Sequence, residues 1–365
     1  MQRYPDILSS LPEIKLECRA LKDILLTNLI MISEIPAPTF RESARVELLA
    51  DRFSMAGLHN CSTDEKGNAV GVLPGSEDAS RNILLVAHAD TVFPETEDHT
   101  VAVQADHVRG LGIADDSLGL AVLATLPMVM EKMQLSLRAN LILMGAARSL
   151  GRGNLEGVRF FLENNQFPLL AGICVEGVQL GRLSLNSIGM LRGEITCKVP
   201  EQFDWTRFGS TSAILIMNGV INRILELPLP KRPQTTIVLG SISGGTSFNT
   251  IATNAELGFE IRSESGEKAN EVARQMADIA AEVGSQRGVD VHLDIFASRN
   301  TGGTSFSHPL ARSIREIMEE LDLKVALGPS TSELSALIDH GTPAATLGIT
   351  TCEHLNQPDE RVYIE

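Results

Sequence analysis

Apolar runs of strand length alternate with helical patterns through the first half of the chain. The strand candidates are residues 69–73, 83–87, 141–144 and 173–175. Amphipathic helical patterns lie between the later ones, at about 117–134 and 154–165. Such alternation predicts an α/β fold, with a mixed, largely parallel sheet covered by helices on both faces. Polar residues that follow these strands are then expected together at the carboxyl edge of the sheet.

The rhythm changes near residue 190. The pattern there predicts, in order, a strand at 191–199, a helix at 212–226, strands at 234–241 and 255–262, a helix at 267–285 and a strand at 289–296. This β-α-β-β-α-β order is typical of a ferredoxin-like α+β domain. After residue 300 the α/β rhythm resumes. We therefore predict a discontinuous domain of residues 1–189 and 300–365, interrupted by an inserted domain of residues 190–299, and a chain of 365 residues is long enough for two cores.

Charge and cysteine content restrict the partners and the compartment. A net charge of −15 opposes nucleic-acid binding, and no Lys/Arg cluster offsets it locally. Five cysteines without a CxxC pair favour free thiols in a reducing compartment. No secretory signal pattern is present, and no uninterrupted apolar run reaches the ~20 residues of a membrane span. The expectation is a cytoplasmic protein that binds neither nucleic acid nor membranes.

Four side chains of the kinds that bind zinc occur at or near the ends of predicted elements. His88 and Glu176 follow strands, Asp115 precedes a helix, and His354 lies in the loop after the last predicted strand. Histidine together with carboxylates is a zinc-type ligand set. If the carboxyl edge of the sheet gathers them, the four side chains form a metal site.

Each of these residues also has an ordinary structural interpretation. Asp90 lies two residues after His88 and could orient its ring if His88 is a metal ligand. A His-x-Asp triplet is, however, equally compatible with a packing role. Asp115 or its neighbour Asp116 could serve as the cap of the helix that follows. The hypothesis of a metal site therefore depends on the whole constellation.

Several short motifs occur in an order that carries a family resemblance. They are His-Ala-Asp-Thr-Val at 88–92, Gly-Ile-Ala-Asp-Asp at 112–116, Gly-Asn-Leu-Glu-Gly at 153–157, Glu-Gly at 176–177, Phe-Gly-Ser-Thr-Ser-Ala-Ile at 208–214, Gly-Gly-Thr-Ser-Phe-Asn-Thr-Ile at 244–251, and finally His354. In this order they resemble the acetylornithine deacetylase, succinyl-diaminopimelate desuccinylase and glutamate carboxypeptidase superfamily of zinc metallopeptidases. That superfamily uses an inserted domain as a lid and for dimerisation, which implies a homodimer here.

The resemblance implies roles for individual residues. Asp115 would bridge two metal ions, with His88 and Glu176 completing one site and His354 belonging to the other. Asp90 would orient His88.

In the inserted domain, Asn249 and Arg262 resemble the pair that holds a substrate carboxylate. A planar guanidinium suits that role. The implied substrates are small peptides or N-acyl amino acids with a free carboxylate.

The sequence departs from the family pattern at three positions. Ser149 stands at the position of the general-base glutamate, Leu150 at that of a metal-ligand glutamate, and Phe203 at that of a lid histidine. Loss of a general base costs ~10²–10⁴ in rate. Without the glutamate ligand, the second metal site keeps only Asp115 and His354, which is too few for a usual zinc site. We therefore expect one zinc or similar divalent ion.

Two hypotheses about function remain open. The chain is a zinc-dependent hydrolase with impaired or altered catalysis, or a non-catalytic homologue that serves as a small-ligand-binding or dimeric scaffold. Glu156 is the nearest downstream carboxylate that could replace the missing base, although its place on a helix favours a solvent-facing role. Arg148 is expected in solvent rather than in the vacated metal position.

Overall fold

The structure, a computed structural model, describes residues 8–76, 81–200 and 212–364. The chain divides into two compact units. The first combines the residues up to Ser187 with those from Gly302 onward, and the second runs from Ile188 to Thr301.

The described part of the first unit contains seven α-helices and most of the strands. Its helices are α1 (Leu11–Ala20), α2 (Lys22–Ser33), α3 (Ser43–Met55), α4 (Leu118–Lys132) and α5 (Glu156–Asn164), followed after the second unit by α8 (Pro309–Glu320) and α9 (Leu334–Asp339), with a π-helical turn at Ile113–Ser117 directly before α4. Its strands are β1 (His59–Thr63), β2 (Ala69–Leu73), β3 (Asn82–His88), β4 (Ala102–Val103), β5 (His107–Arg109), β6 (Asn140–Ala146), β7 (Leu169–Glu176), β8 (Arg182–Ser184), β9 (Asn186–Ser187), β14 (Gly302–Gly303), β15 (Ala326–Leu327), β16 (Ala344–Gly348), β17 (Cys352–Glu353) and β18 (Arg361–Tyr363).

An eight-stranded mixed sheet forms the centre of this unit, in the order β1-β2-β6-β3-β7-β16-β8-β15. The four central strands, β6, β3, β7 and β16, are parallel. The prediction of a mixed, largely parallel sheet is confirmed. Strand β2, which sequence alternation placed with the others, runs antiparallel to β6.

Helices cover both faces of the sheet. Successive side chains of a strand point to opposite faces, and those of the central strands are apolar on both. In β3, Leu84 and Val86 belong to a core with residues of α5 and α9. The neighbouring Ala87 belongs to the other core, with residues of α2, α3 and α4. This layering holds the carboxyl ends of β3 and β7 side by side.

The N-terminal helical layer differs from expectation. The pattern of residues 12–57 predicts two amphipathic helices separated by Pro36 and Pro38, but the structure has a further break at Leu21, where the backbone adopts φ −102° and ψ 6°. No proline or glycine marks this position. Leu21 is buried, so packing rather than local propensity accounts for the break.

One helical stretch, Ile113–Lys132, is long and apolar enough to cross a membrane by length and composition. Most of it is buried inside the protein, as in the core helix of a globular fold. Uninterrupted apolar runs did not indicate it, because Asp115 and Asp116 lie within it.

The second unit has the ferredoxin-like order predicted from the sequence. Its elements are β10 (Gly189–Lys198), α6 (Ala213–Leu225), β11 (Thr235–Gly244), β12 (Asn254–Ser263), α7 (Gly266–Arg287) and β13 (Asp290–Arg299). The strands form an antiparallel sheet in the order β11-β12-β10-β13. Helix α7 begins after Ser265, whose side chain accepts a hydrogen bond from the Lys268 N–H, and ends at Gly288 in the left-handed conformation.

Candidate metal centre

Three side chains converge at the carboxyl edge of the central sheet. His88 ends β3, Glu176 ends β7, and Asp115 lies in the π-helical turn before α4. One potential ligand atom from each lies within 4.8 Å of the others, and within the described ranges no other group of three or more such residues does so. His88 Nε2 is 2.8 Å from Asp115 Oδ1. The structure thus brings together three of the four predicted ligands.

The ring of His88 is oriented mainly by backbone. Its Nδ1 lies 2.9 Å from the carbonyl oxygen of Asp90 and 3.5 Å from that residue's Oδ1. An Nδ1–H that donates to the carbonyl leaves Nε2 facing Asp115, as a metal ligand requires. The other carboxylate oxygen of Asp90 accepts hydrogen bonds from Thr39 Oγ1 and the Leu150 N–H, both at 2.8 Å. Asp90 therefore also fixes the loop after β6.

Asp116 joins three of the elements around the centre. Its Oδ1 accepts from the N–H groups of Gly119, at 3.2 Å, and Gly177, at 3.1 Å. Its Oδ2 accepts from the His88 N–H at 3.3 Å. This buried carboxylate thus ties the ends of β3 and β7 to the first turn of α4. The capping role considered for one of the two aspartates belongs to Asp116, and Asp115 remains available as a ligand.

Burial and crowding of carboxylates perturb the acidities. Burial raises the pKa of Glu176 to about 7, and the charge of Glu333 adds to the rise. Burial alone would lower the pKa of His88, but its contacts with Asp115 and Asp90 raise it well above the ordinary value. Burial opposes ionisation of Asp115, yet His88 holds its pKa below the usual range. The centre concentrates negative charge in a buried place, where a cation would be stabilised.

His354 is not part of this group. Its ring is exposed, and Nδ1 is hydrogen-bonded to the Asp359 carboxylate. A neighbour in the same loop contacts the centre instead, because Asn356 Nδ2 donates to Asp115 Oδ2 at 3.3 Å. The side chain of Glu360 holds this loop against the π-helical turn.

Neither Ser149 nor Leu150, which the resemblance places at the positions of two glutamates, can act as a general base. Ser149 is buried, and its Oγ has no hydrogen-bond partner among the described residues. Glu156 pairs with Lys66 and with Arg148, and the Lys66 hydrogen bond is the main cause of its lowered pKa. Arg148 also lies 5.8 Å from the ring of Phe40 and is partly exposed. A paired Glu156 with a low pKa is a poor proton acceptor.

The predicted substrate-binding pair lies in the second unit. Arg262, on β12, is half-exposed and donates through Nε to Glu260. Asn249 is exposed in the loop between β11 and β12, and its Oδ1 accepts from Ser247 Oγ at 2.8 Å. Phe203, which the resemblance places at the position of a lid histidine, lies outside the described residues.

Sequence reasoning missed two buried charged residues next to the centre. Arg45 is fully buried and donates to the carbonyl groups of Ile35 and Ala89. The sequence does indicate that Arg45 is buried, because it lies on the apolar side of α3, four residues before the buried Leu49. Glu360 gave no such signal, because it follows a polar loop.

Residues 209–287, within the second unit, match the model of a family described as the peptidase dimerisation domain. Among curated proteins, none matches the chain.

The fold of nearly the whole chain is shared with solved structures. A tripeptidase from Staphylococcus aureus is 21% identical, with 93% of each chain covered and a TM-score of 0.72. The di-peptidase Dug1p from Saccharomyces cerevisiae is 12% identical, with 97% of this chain and 94% of that one covered and a TM-score of 0.77. YxeP from Bacillus subtilis, described as a dinuclear metal-binding peptidase of the M20 family, is 14% identical, with coverages of 93% and 92% and a TM-score of 0.62. At these identities the similarity establishes the fold.

Proposed function

Because the chain carries a peptidase dimerisation domain and the fold of the M20 metallopeptidases, we propose that it is a metal-dependent amide hydrolase of small, carboxylate-bearing substrates. The substrates we favour are short peptides and N-acyl amino acids, and the compartment we favour is the cytoplasm. The convergence of His88, Asp115 and Glu176 is the observation that carries the proposal.

The three donors fit a zinc-type ion. An imidazole nitrogen and two carboxylates are ordinary zinc ligands, and three protein ligands leave a position open for a substrate. A bound divalent ion would supply Lewis-acid activation of the scissile carbonyl. The carbonyl of Asp90 keeps Nε2 of His88 directed at the centre, and Asp116 fixes the backbone of His88.

Proton transfer is the weak step of this site. The Ser149 hydroxyl does not accept a proton at neutral pH, and Glu156 is engaged by Lys66 and Arg148. We therefore expect turnover reduced by ~10²–10⁴ relative to a site with a glutamate base. The same replacements favour the second candidate, a non-catalytic scaffold that binds small ligands.

A substrate panel separates the two candidates. Native protein loaded with zinc is assayed on dipeptides and N-acyl amino acids beside the Ser149→Glu/Leu150→Glu variant. We expect slow, chelator-sensitive hydrolysis by the native protein and an increase of at least about tenfold in the variant, because the variant regains a general base. If only the variant is active, the native protein is the scaffold.

Metal affinity is expected to depend on pH. Glu176, with a pKa of about 7, and His88, with a raised pKa, must both lose a proton before they bind a cation. At pH 6 about nine-tenths of a group with a pKa of 7 is protonated, so apparent zinc affinity should fall at least about tenfold between pH 8 and pH 6. Competition with a chromogenic chelator at each pH measures this change, and a flat profile would contradict the assignment of these ligands.

We further propose a homodimer formed through the edge strand β11. Helices α6 and α7 lie mainly over β10, β12 and β13. Strand β11 exposes Val238, at 46%, and Ile242, at 61%, beside a backbone edge with which no other described strand pairs. An open strand edge with apolar side chains favours pairing with another strand.

Charge at this edge is expected to separate the subunits. Lysine at positions 238 and 242 would place like charges opposite each other where the β11 strands of two subunits pair. Lysine side chains on edge strands also oppose pairing with another strand. We expect native protein to elute with the mass of a dimer in light-scattering chromatography and the Val238→Lys/Ile242→Lys variant with that of a monomer. The control is Ile295→Lys on β13, the opposite edge, which should stay dimeric. A monomeric native protein would refute the proposal.

A further inference from the structure

The two carboxylate oxygens of Asp115 have different kinds of partner. Oδ1 faces Nε2 of His88 at 2.8 Å, on the side of the three-ligand group. Oδ2 instead accepts a hydrogen bond from the side-chain amide of Asn356 at 3.3 Å. A bridging carboxylate would need Oδ2 for a second cation. Here that oxygen already has a hydrogen-bond donor.

The orientation of the Asn356 amide follows from chemistry. A carboxylate oxygen accepts but does not donate, so the amide must turn its NH₂ group toward Asp115 and its oxygen away. A cation ligand must instead present a lone pair. Asn356 in this orientation therefore occupies the contact without offering a ligand atom.

Glu360 fixes Asn356 and Asp115 relative to each other. Its fully buried carboxylate accepts from the backbone N–H of Asn356 at 2.7 Å through Oε2. Its Oε1 accepts from the N–H groups of Ala114, at 2.7 Å, and Asp115, at 3.2 Å. Three backbone bonds to one carboxylate hold the C-terminal loop against the π-helical turn.

The rest of the surroundings lacks ligands for a second ion. Leu150 contributes an apolar side chain where the family has a carboxylate, which leaves Asp115 and His354 as the candidate ligands there. The part of the chain that the structure describes contains a single group of three potential ligands. A usual zinc site needs at least three protein ligands, so the residues present do not fit a second ion.

We propose that the centre is mononuclear by construction, with Asn356, held by Glu360, replacing a second cation as the partner of Asp115 Oδ2. Asn356 is then a positioning residue that keeps Oδ1 directed at the first site. This inference rests on the proposed function for that first site, but it predicts a metal count that the proposed function leaves open.

The test is zinc stoichiometry, measured by elemental analysis after dialysis against the free metal. We expect one equivalent per chain for native protein and two for the Asn356→His/Leu150→Glu variant, which supplies two ligands beside Asp115. Two equivalents in native protein would overturn this inference alone, and none would overturn the proposed function with it. One equivalent in the variant would show that these two residues do not exclude the second ion.

Affinity for the first ion tests the positioning role. Loss of a group that orients a ligand typically costs ~10–100-fold in metal affinity, so we expect a decrease of about tenfold for Asn356→Ala. Gln357→Ala, in the same exposed loop, is the matched control and should change affinity less than about twofold. A decrease in His354→Ala without one in Asn356→Ala would assign the role to His354 and overturn the inference.

Discussion

Replacing His88 with alanine should abolish stoichiometric zinc binding, with a loss of apparent affinity greater than about 100-fold. His88 is the only nitrogen donor of the three-ligand group, and its removal leaves two carboxylates, Asp115 and Glu176, close together in a buried place. Two carboxylates alone do not form a usual zinc site. Isothermal titration of metal-free protein with zinc at pH 7.5 measures the effect.

Two further variants serve as controls for the loss of zinc binding in His88→Ala. His59→Ala removes an exposed histidine of β1 and should leave affinity unchanged. Asp90→Asn keeps the backbone carbonyl that orients His88, so its effect should be about tenfold or less. Stoichiometric binding by His88→Ala would refute the proposed centre, whereas equal losses in His88→Ala and Asp90→Asn would assign the orientation of the ring to the Asp90 carboxylate.

The positions of two proposed ligands could be predicted because they depend on strand periodicity. His88 and Glu176 directly follow apolar strands, and the carboxyl ends of neighbouring parallel strands meet at one edge. Residues 209–287 match the peptidase dimerisation domain, and the predicted fold of the whole chain is shared with solved peptidase structures. Strand-scale patterns are reliable here because they repeat over many residues.

The backbone conformation of the C-terminal loop could not be predicted from such patterns. His354 and Asn356 both adopt left-handed backbone conformations, with φ of 57° and 58°. These reversals decide which side chain turns toward Asp115, and neither periodicity nor motif order indicates them. Motif order indicates His354 as a ligand and gives no sign of the hydrogen bond from Asn356 to Asp115.

Buried charges were the other omission. Glu360 and Arg45 both lie in the interior, and each binds backbone groups of loops that are distant in sequence. The identity of a single charged residue in the sequence does not indicate which distant backbone groups it will bind. The surroundings of the centre therefore depend on contacts that only the folded chain defines.

Arg45→Met is expected to destabilise the metal-free protein by about 3–5 kcal/mol, the usual cost of removing one member of a buried charged network. The Arg45 side chain is 0% exposed; Nε and Nη2 donate to the carbonyl of Ile35, and Nη1 to the carbonyl of Ala89 and to Ser117 Oγ.

Burial lowers the pKa of Arg45 to about 10, even though nearby carboxylates, including those of Asp90 and Asp116, act in the opposite direction. The guanidinium is therefore still charged at neutral pH. Methionine would preserve much of the side-chain volume while leaving the Ile35 and Ala89 carbonyls without their donor and the buried carboxylates without their cation.

The matched control is Arg41→Met, four residues before Arg45 in the sequence. Its side chain is 68% exposed and pairs at the surface with Glu95, so its loss should cost about 0–1 kcal/mol. Urea unfolding of both variants with chelator present gives the two free energies. Equal values would mean that the carboxylates around His88 do not need Arg45, and that protonation balances their charge instead.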